Sequence, residues 1–148
     1  MRLRFLMAVI AVGLAAAPSS AAADANDAER LRGFWIAVSA ERNGEAADDL
    51  RGHQLTFFAS NRFIIRSKGK LPYQGTFRVD PSKKPATIDF KHSRGEAMGK
   101  AWLGIYLLEG DVLKICDNAD DLGKGRPAAF ATEPGSGRVL VTFKREVH

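Results

Sequence analysis

The stretch "LRGFWIAVSAERNG", residues 31–44, places a Gly-x-Trp triplet at the start of an apolar run that ends at Asn43-Gly44. A run rich in Phe, Ile and Val that is bounded by turn residues is typical of a β-strand. The stretch therefore predicts the first strand of an antiparallel sheet. It also raises the question of whether that sheet closes into a barrel.

The same strand-and-turn pattern continues to the end of the chain, with Gly, Asn, Asp and Pro between the strands. No helix of ordinary length is predicted after Gly33. Antiparallel strands at hairpin spacing indicate a closed barrel or a sandwich, since closure removes exposed sheet edges. The further predicted strands are "HQLTFFAS", "RFIIRSKG", "YQGTFRVD", "ATIDFK", "AWLGIYLL", "DVLKICD" and "RVLVTFKRE", with a possible short one at "PAAFA".

Side-chain alternation favours the barrel. In the last strand Val139, Val141, Phe143 and Arg145 share one face. Each predicted strand likewise has one apolar face, as a barrel interior requires. The predicted fold is therefore an all-β, antiparallel barrel of about eight strands. Some apolar residues fall on the opposite face and need cover from a leading helical turn or a partner chain: Phe34, Ile36, Val38, Phe58 and Ile64.

The N-terminal segment has the features of an export signal. Two arginines precede a 13-residue apolar run over residues 5–17. A membrane-spanning helix needs about 20 apolar residues, so this run is too short to be one. Ala21 and Ala23 satisfy the small-x-small rule for cleavage. The sequence predicts a signal peptide over residues 1–23 and one domain over residues 24–148, without a transmembrane anchor after processing, in the periplasm or outside the cell.

The mature domain begins with "ANDAERLRG", which predicts a short helical turn capped by Asn26 or Asp27. Removal of Arg2 and Arg4 lowers the formal net charge from +5 to +3. This mild excess is ordinary for a protein surface and gives no indication of nucleic-acid binding. A single cysteine, Cys116, excludes an internal disulfide, so the hydrophobic core must stabilise the domain.

Two residues far apart in sequence are predicted to meet where the barrel closes. Trp35 begins the first strand and Arg145 ends the last, and a meandering barrel brings these strands together. The guanidinium would then lie over the indole, with Gly33 allowing close approach of the chain. Gly-x-Trp on the first strand with a closing Arg on the last resembles the pattern of lipocalins and of the wider calycin group.

A more specific resemblance covers nearly the whole mature chain. Five blocks in order carry it: "LRGFWIAVSAERNG", "FRVDPSKKPATIDF", "GIYLLEGDVLKICD", "RPAAF" and "GSGRVLVTFKRE". They are similar to uncharacterised lipocalin-like domains that are abundant in planctomycete bacteria. The resemblance implies an exported, barrel-like domain. That family has no agreed activity or assigned binding residues, so it implies no site.

Few residues form patterns that indicate chemistry. The histidines are isolated, and the acidic loop "DNADDLG" over residues 117–123 lacks the length and the glutamate of a calcium loop, so it predicts a solvated loop. No serine lies in a nucleophile elbow, and Cys116 is predicted to be a half-buried strand residue. A carboxylate-pair hydrolase stays open, but no catalytic, metal-binding or cofactor-binding residues are predicted.

The leading hypothesis is non-catalytic binding of a small apolar or amphipathic ligand inside the barrel. An interaction module with a filled barrel is the alternative, acting as an envelope scaffold or enzyme inhibitor through its apolar outer residues. Trp35 and Tyr106 are polar-tipped aromatics of the predicted interior. The residues predicted to line a ligand site are Phe57, Phe77, Phe90, Tyr106, Leu113 and Val141.

Overall fold

The computed structural model describes Gly13 and residues 20–147. Most of the predicted signal peptide, residues 1–12 and 14–19, lies outside the described residues. One helix precedes nine strands in the described part of the chain. Their bounds are α1 Ser20–Leu31, β1 Gly33–Arg42, β2 Glu45–Ala46, β3 Gln54–Phe58, β4 Arg62–Ser67, β5 Lys70–Asp80, β6 Thr87–His92, β7 Ala101–Glu109, β8 Val112–Asp117 and β9 Val139–Arg145.

Eight of these strands form a closed antiparallel barrel. Neighbours pair in the order β1-β3-β4-β5-β6-β7-β8-β9, and β9 pairs again with β1. Trp35 is the register partner of Arg145 in this closing pair. The prediction of an all-β, antiparallel barrel of about eight strands is confirmed.

Two details of the strand prediction are wrong. Strand β2 was not predicted; it forms a hairpin with the end of β1 across Asn43-Gly44. Both turn residues have positive φ, 51° and 83°, which suits a two-residue hairpin turn. The segment "PAAFA", residues 127–131, is not a strand and belongs to the long connection between β8 and β9.

The N-terminal element is a longer helix than the sequence indicated. It begins at Ser20 and ends at Leu31, so Asn26 and Asp27 lie inside it and are not its N-cap. Leu31 is fully buried and Ala28 packs against the core. The helix therefore covers one end of the barrel. It does not cover the outer face, where Phe34 and Phe58 stay exposed.

Alternate residues of the strands fill the barrel interior. Tyr106 pairs with Ile115, and Leu108 pairs with Leu113. The phenylalanines of β3, β4, β5 and β6 are in ring contact, with centroids 4.7 Å apart for Phe57–Phe77. The buried core is Leu31, Trp35, Ala37, Leu55, Phe57, Phe63, Phe77, Val79, Ile88, Phe90, Tyr106, Leu113, Ile115 and Phe143.

A β-bulge in β1 shifts which residues face inward. Ala37 pairs with Phe143 and Ala40 with Val141, so two residues of β1, Val38 and Ser39, lie opposite one residue of β9. Such an extra residue reverses the alternation beyond it. Arg42 consequently falls on the inner side of the strand, where strict alternation from Trp35 would place Glu41.

The connection between β8 and β9, residues 118–138, lies over the outer face of β7 and β8. Ile105 and Cys116 face outward from these strands, yet both are almost completely buried. The Cys116 thiol lies 3.7 Å from the carbonyl oxygen of Ala131 in the connection.

No helix in the described part of the chain has the length and apolar character needed to span a membrane.

Candidate functional site

A cavity of about 340 Å³ lies in the barrel at the end opposite α1. Inner residues of the strands form its walls, and the segment after β2 contributes at its mouth. Most of its lining is apolar. The lining residues are Ala37, Arg42, Asp49, Leu50, His53, Leu55, Ile65, Tyr73, Phe90, Trp102, Ile115, Asp117, Ala119, Asp120, Val139, Val141 and Phe143.

Of the six residues that were predicted to line a ligand site, two lie on the cavity wall and four lie in the packed core. Phe90 and Val141 line the cavity. The other four are buried in the packed core and are not on the cavity wall: Phe57, Phe77, Tyr106 and Leu113. The sequence identified the inner face of each strand, but not the height along the barrel at which packing ends and space begins.

One side of the cavity is aromatic. The rings of Tyr73 and Trp102 have centroids 4.7 Å apart with planes at 64°, an edge-to-face contact. Trp102 also lies 6.4 Å from Phe90. Tyr73 and Trp102 are only partly buried, so they present aromatic surface to the cavity. A rigid aromatic wall of this kind suits a flat or apolar ligand.

Behind this wall lies a buried imidazole. His92 is only 2% exposed, and neither of its ring nitrogens has a hydrogen-bond partner among the described residues. Its ring lies 4.1 Å from that of Trp102 and 5.4 Å from that of Phe63. Burial lowers the pKa of His92 to about 4, so the imidazole is neutral at neutral pH.

The mouth of the cavity carries an ion pair. Arg42 donates two hydrogen bonds to the Asp49 carboxylate, at 3.3 Å and 3.0 Å. Its Nε is 3.8 Å from Asp120, which also accepts a 2.6 Å hydrogen bond from the Asn43 amide. The hydrogen bond from Arg42 lowers the pKa of Asp49, which keeps this carboxylate ionised.

Asp117 lies on the inner face of β8, in the cavity wall. It follows Leu113 and Ile115 at the alternating period and pairs with Val139. The residue is only 8% exposed, and its Oδ1 accepts a 3.0 Å hydrogen bond from the Ala119 amide. Burial raises the pKa of Asp117 to about 7, while that hydrogen bond acts in the opposite direction.

The neighbouring strand leaves room for this carboxylate. Gly104 is the register partner of Asp117, and a Cβ at Gly104 would lie 3.0 Å from the Cβ of Asp117. Asn118 is also buried, and its side-chain oxygen accepts a hydrogen bond from the Leu103 amide at 2.9 Å. The solvated loop predicted for residues 117–123 is thus wrong for its first two residues. The alternation Leu113, Ile115, Asp117 was the signal that could have identified Asp117.

The other end of the barrel is closed by the residues predicted to meet there. The Arg145 guanidinium lies over the Trp35 indole, 4.2 Å from its centroid. Arg145 also donates to the carbonyl oxygens of Arg32 and Arg30, at 2.8 Å and 2.7 Å. Gly33, at φ 120°, allows this approach, because a Cβ there would lie 3.2 Å from Arg145 Nη1.

The ionisable groups that line the cavity are Arg42, Asp49, His53, Tyr73, Asp117 and Asp120. Among the described residues that line it, none is Ser, Thr, Cys or Lys. Cys116 lies outside the barrel wall, and burial raises the pKa of its thiol. In the described part of the chain no group of three His, Cys, Asp or Glu residues could hold a metal ion. No protein-family model, curated protein or solved structure matches this chain.

Proposed function

We propose that this chain is an exported, lipocalin-like domain that binds a small apolar or amphipathic molecule in the open end of its barrel, without catalysing a reaction on it. The cavity of about 340 Å³ carries this proposal. Ligand sites are typically concave, mainly apolar, and supplied with a few polar groups that orient the ligand. This cavity combines an apolar and aromatic wall with charged groups at its mouth and Asp117 within.

The location of the cavity supports binding, because each end of the barrel has a different role. At the α1 end, the Trp35 indole is fully buried and the Arg145 guanidinium lies over it. At the other end the partly exposed rings of Tyr73 and Trp102 line the cavity. Preformed space beside a rigid, packed floor allows a ligand to bind without the protein having to reorganise.

A cavity-filling substitution tests the proposal. Val141→Phe places a ring in the cavity, whereas Leu140→Phe makes the same kind of enlargement on the other face of β9. Titration with the apolar fluorophore N-phenyl-1-naphthylamine should give saturable binding to the parent chain and to Leu140→Phe. Val141→Phe should weaken binding about tenfold or more, a difference of about 1.4 kcal/mol. Equal binding by both variants, or no saturable binding to the parent, would overturn the proposal.

Export is part of the proposal and is compatible with the packing of α1. Cleavage between Ala23 and Asp24 would cut within the helix. It would retain Leu31 in the core and Asp27, whose carboxylate accepts a hydrogen bond from the Tyr106 hydroxyl. N-terminal sequencing of protein from its own cells should therefore begin at or within a few residues of Asp24. An N-terminus at Met1 or Arg2 would contradict export.

A second candidate function is supported by apolar surface on the outside of the barrel. Phe34 is 47% exposed on β1 and Phe58 is 38% exposed on the neighbouring β3. Large apolar side chains that share an outer face are typical of protein-binding surfaces. If this face binds a partner, Phe34→Ser with Phe58→Ser should abolish stoichiometric co-purification from native cells. The same double variant should leave fluorophore binding unchanged.

A further inference from the structure

The charges on the cavity wall are unbalanced. Three carboxylates line the cavity, those of Asp49, Asp117 and Asp120, against the one guanidinium of Arg42. His53 also lines it, but burial lowers its pKa, which favours the neutral imidazole. Arg42 is already bonded to Asp49 and is 3.8 Å from Asp120. An anionic ligand would add to this negative charge, whereas a cation would offset it.

Asp117 is the carboxylate that this ion pair does not satisfy. Its Oδ1 accepts the Ala119 amide, and no described residue donates a hydrogen bond to its Oδ2. The residue is more than nine-tenths buried, and it lines the cavity. A buried carboxylate is unfavourable unless it is paired or hydrogen-bonded. Oδ2 is not among the completely buried atoms that lack a partner, so it is accessible from the cavity, where a ligand that carries N–H donors would bind it.

The aromatic wall suits the same kind of ligand. Tyr73 and Trp102 lie in one edge-to-face pair on the cavity wall. The face of an aromatic ring attracts a cation within about 6 Å, and Trp is the strongest of the three aromatic residues in this respect. The lining thus contains the two groups that bind organic cations, a carboxylate and an electron-rich ring face.

We propose that the cavity takes an organic cation, a small apolar body that carries a protonated amine, with the amine between Asp117 and the Tyr73–Trp102 pair and the body against the remaining apolar lining. This inference rests on the proposed function and names the ligand class of the same cavity. The volume of about 340 Å³ is near the lower limit of the range of about 300–1,000 Å³ for small-molecule sites. A single-ring or short-chain amine therefore fits better than a long lipid tail.

Three probes with the same carbon skeleton separate charge from apolar binding: 3-phenylpropylamine, 3-phenylpropan-1-ol and 3-phenylpropanoate. Calorimetric titration of the purified chain at about pH 8 keeps the amine protonated and favours an ionised Asp117. We expect the amine to bind about tenfold or more tightly than the alcohol, as one charge-assisted hydrogen bond would give. The carboxylate should bind weakest of the three.

Two variants and a control then assign the preference to residues. Asp117→Asn should remove most of the amine preference and leave the alcohol affinity within about twofold. Glu109→Gln makes the same chemical change at an exposed site outside the cavity and should alter neither affinity. Trp102→Leu keeps an apolar wall but removes the ring face, so it should lower the ratio of amine to alcohol affinity.

The outcomes distinguish this inference from the function on which it rests. If the parent binds the alcohol as tightly as the amine, or if Asp117→Asn keeps the amine preference, the cation assignment is overturned while binding in the cavity stands. If none of the three probes nor the naphthylamine fluorophore binds, the proposed function itself is overturned. Should Asp117→Asn fail to fold, an unchanged amine-to-alcohol ratio in Trp102→Leu would overturn the assignment.

Discussion

The two ends of this barrel differ in how completely their buried polar groups are hydrogen-bonded. At the α1 end, Trp35 donates its indole N–H to the Leu31 carbonyl at 2.8 Å, and Arg145 bonds two backbone carbonyls and Asp111. At the cavity end, His92 has no partner among the described residues and Asp117 has one backbone donor. The first end is packed and hydrogen-bonded, whereas the second contains polar groups that folding leaves incompletely satisfied.

This difference separates stability from binding. Buried groups that are fully hydrogen-bonded favour a single folded arrangement, whereas an incompletely paired buried group carries a desolvation penalty. At Asp117 water or a ligand in the cavity, or protonation, can offset this penalty, whereas His92 does not line the cavity and avoids the penalty by staying neutral. We therefore expect the α1 end to contribute most to stability, and the cavity end to determine the pH dependence of stability and the proposed ligand binding.

The largest expected effect is at the closed end. Trp35→Ala removes a fully buried aromatic side chain and should lower the free energy of unfolding by about 3–5 kcal/mol. Trp102→Ala is the matched control at the cavity, where the ring is already partly exposed, and should cost clearly less. Denaturant unfolding followed by circular dichroism measures both values. Equal losses would mean that the two ends contribute alike to stability.

Asp117 should make the protein less stable as the pH rises. Its pKa is about 7 in the folded state, above the ordinary value of 3.8, so folding favours the protonated form. Its contribution is complete below about pH 4 and is lost as the pH rises through 7. When the pH is raised from 5 to 8, the stability of Asp117→Asn should increase by about 2–3 kcal/mol relative to that of the parent. A difference that does not vary with pH would show that Asp117 titrates normally.

His92 should have the opposite dependence. Its pKa is about 4 in the folded state, below the ordinary 6.5, so folding favours the neutral ring. This stability is present above about pH 6.5 and is lost as the pH falls towards 4. When the pH is lowered from 8 to 5, the stability of His92→Phe should therefore increase by about 2 kcal/mol relative to that of the parent. Comparing the two pH values in each variant removes any constant packing effect, and a flat difference would contradict the prediction.

The smallest effect is the coupling between Trp35 and Arg145. Arg145→Ala should cost about 1–3 kcal/mol, through lost stacking and unpaired backbone carbonyls. Because the two side chains are in contact, the double variant should be less destabilised than the sum of the single variants by more than about 0.5 kcal/mol. Arg145→Lys should restore only part of the stability, since an ammonium lacks the planar fork. Strict additivity would mean that the contact contributes nothing.

The closed end could be predicted from the sequence because closure of a meandering barrel is a topological requirement. Once the strands are counted, the first and last must pair, so Trp35 and Arg145 come together whatever fills the interior. Gly33 followed from the same reasoning. The sequence predicted only a short helical turn where the structure has a longer helix. The local sequence does not show that Leu31 reaches the core, and the burial of the helix depends on that contact.

The cavity could be predicted only in part. Alternation assigns inner faces, and of the residues so chosen Phe90 and Val141 lie on the cavity wall, but it assigns Phe57 and Leu113 to the same interior without distinguishing core from cavity. Arg42 reaches the cavity only because the bulge in β1 reverses the alternation. A bulge of one residue depends on how two distant strands match in length, and neither strand encodes it alone.

The sequence by itself determined the strand order, the antiparallel barrel and the residues that close it, because alternation and turn residues act over a few neighbours. Only the tertiary structure decided where the barrel is filled and where it is hollow. Whether a level of the barrel is filled depends on the total volume of the side chains that eight strands contribute there, and no single strand determines that total. Asp117 shows the limit of both: alternation along the predicted strand places it on the inner face, but only the tertiary structure shows that this face borders a cavity at that point.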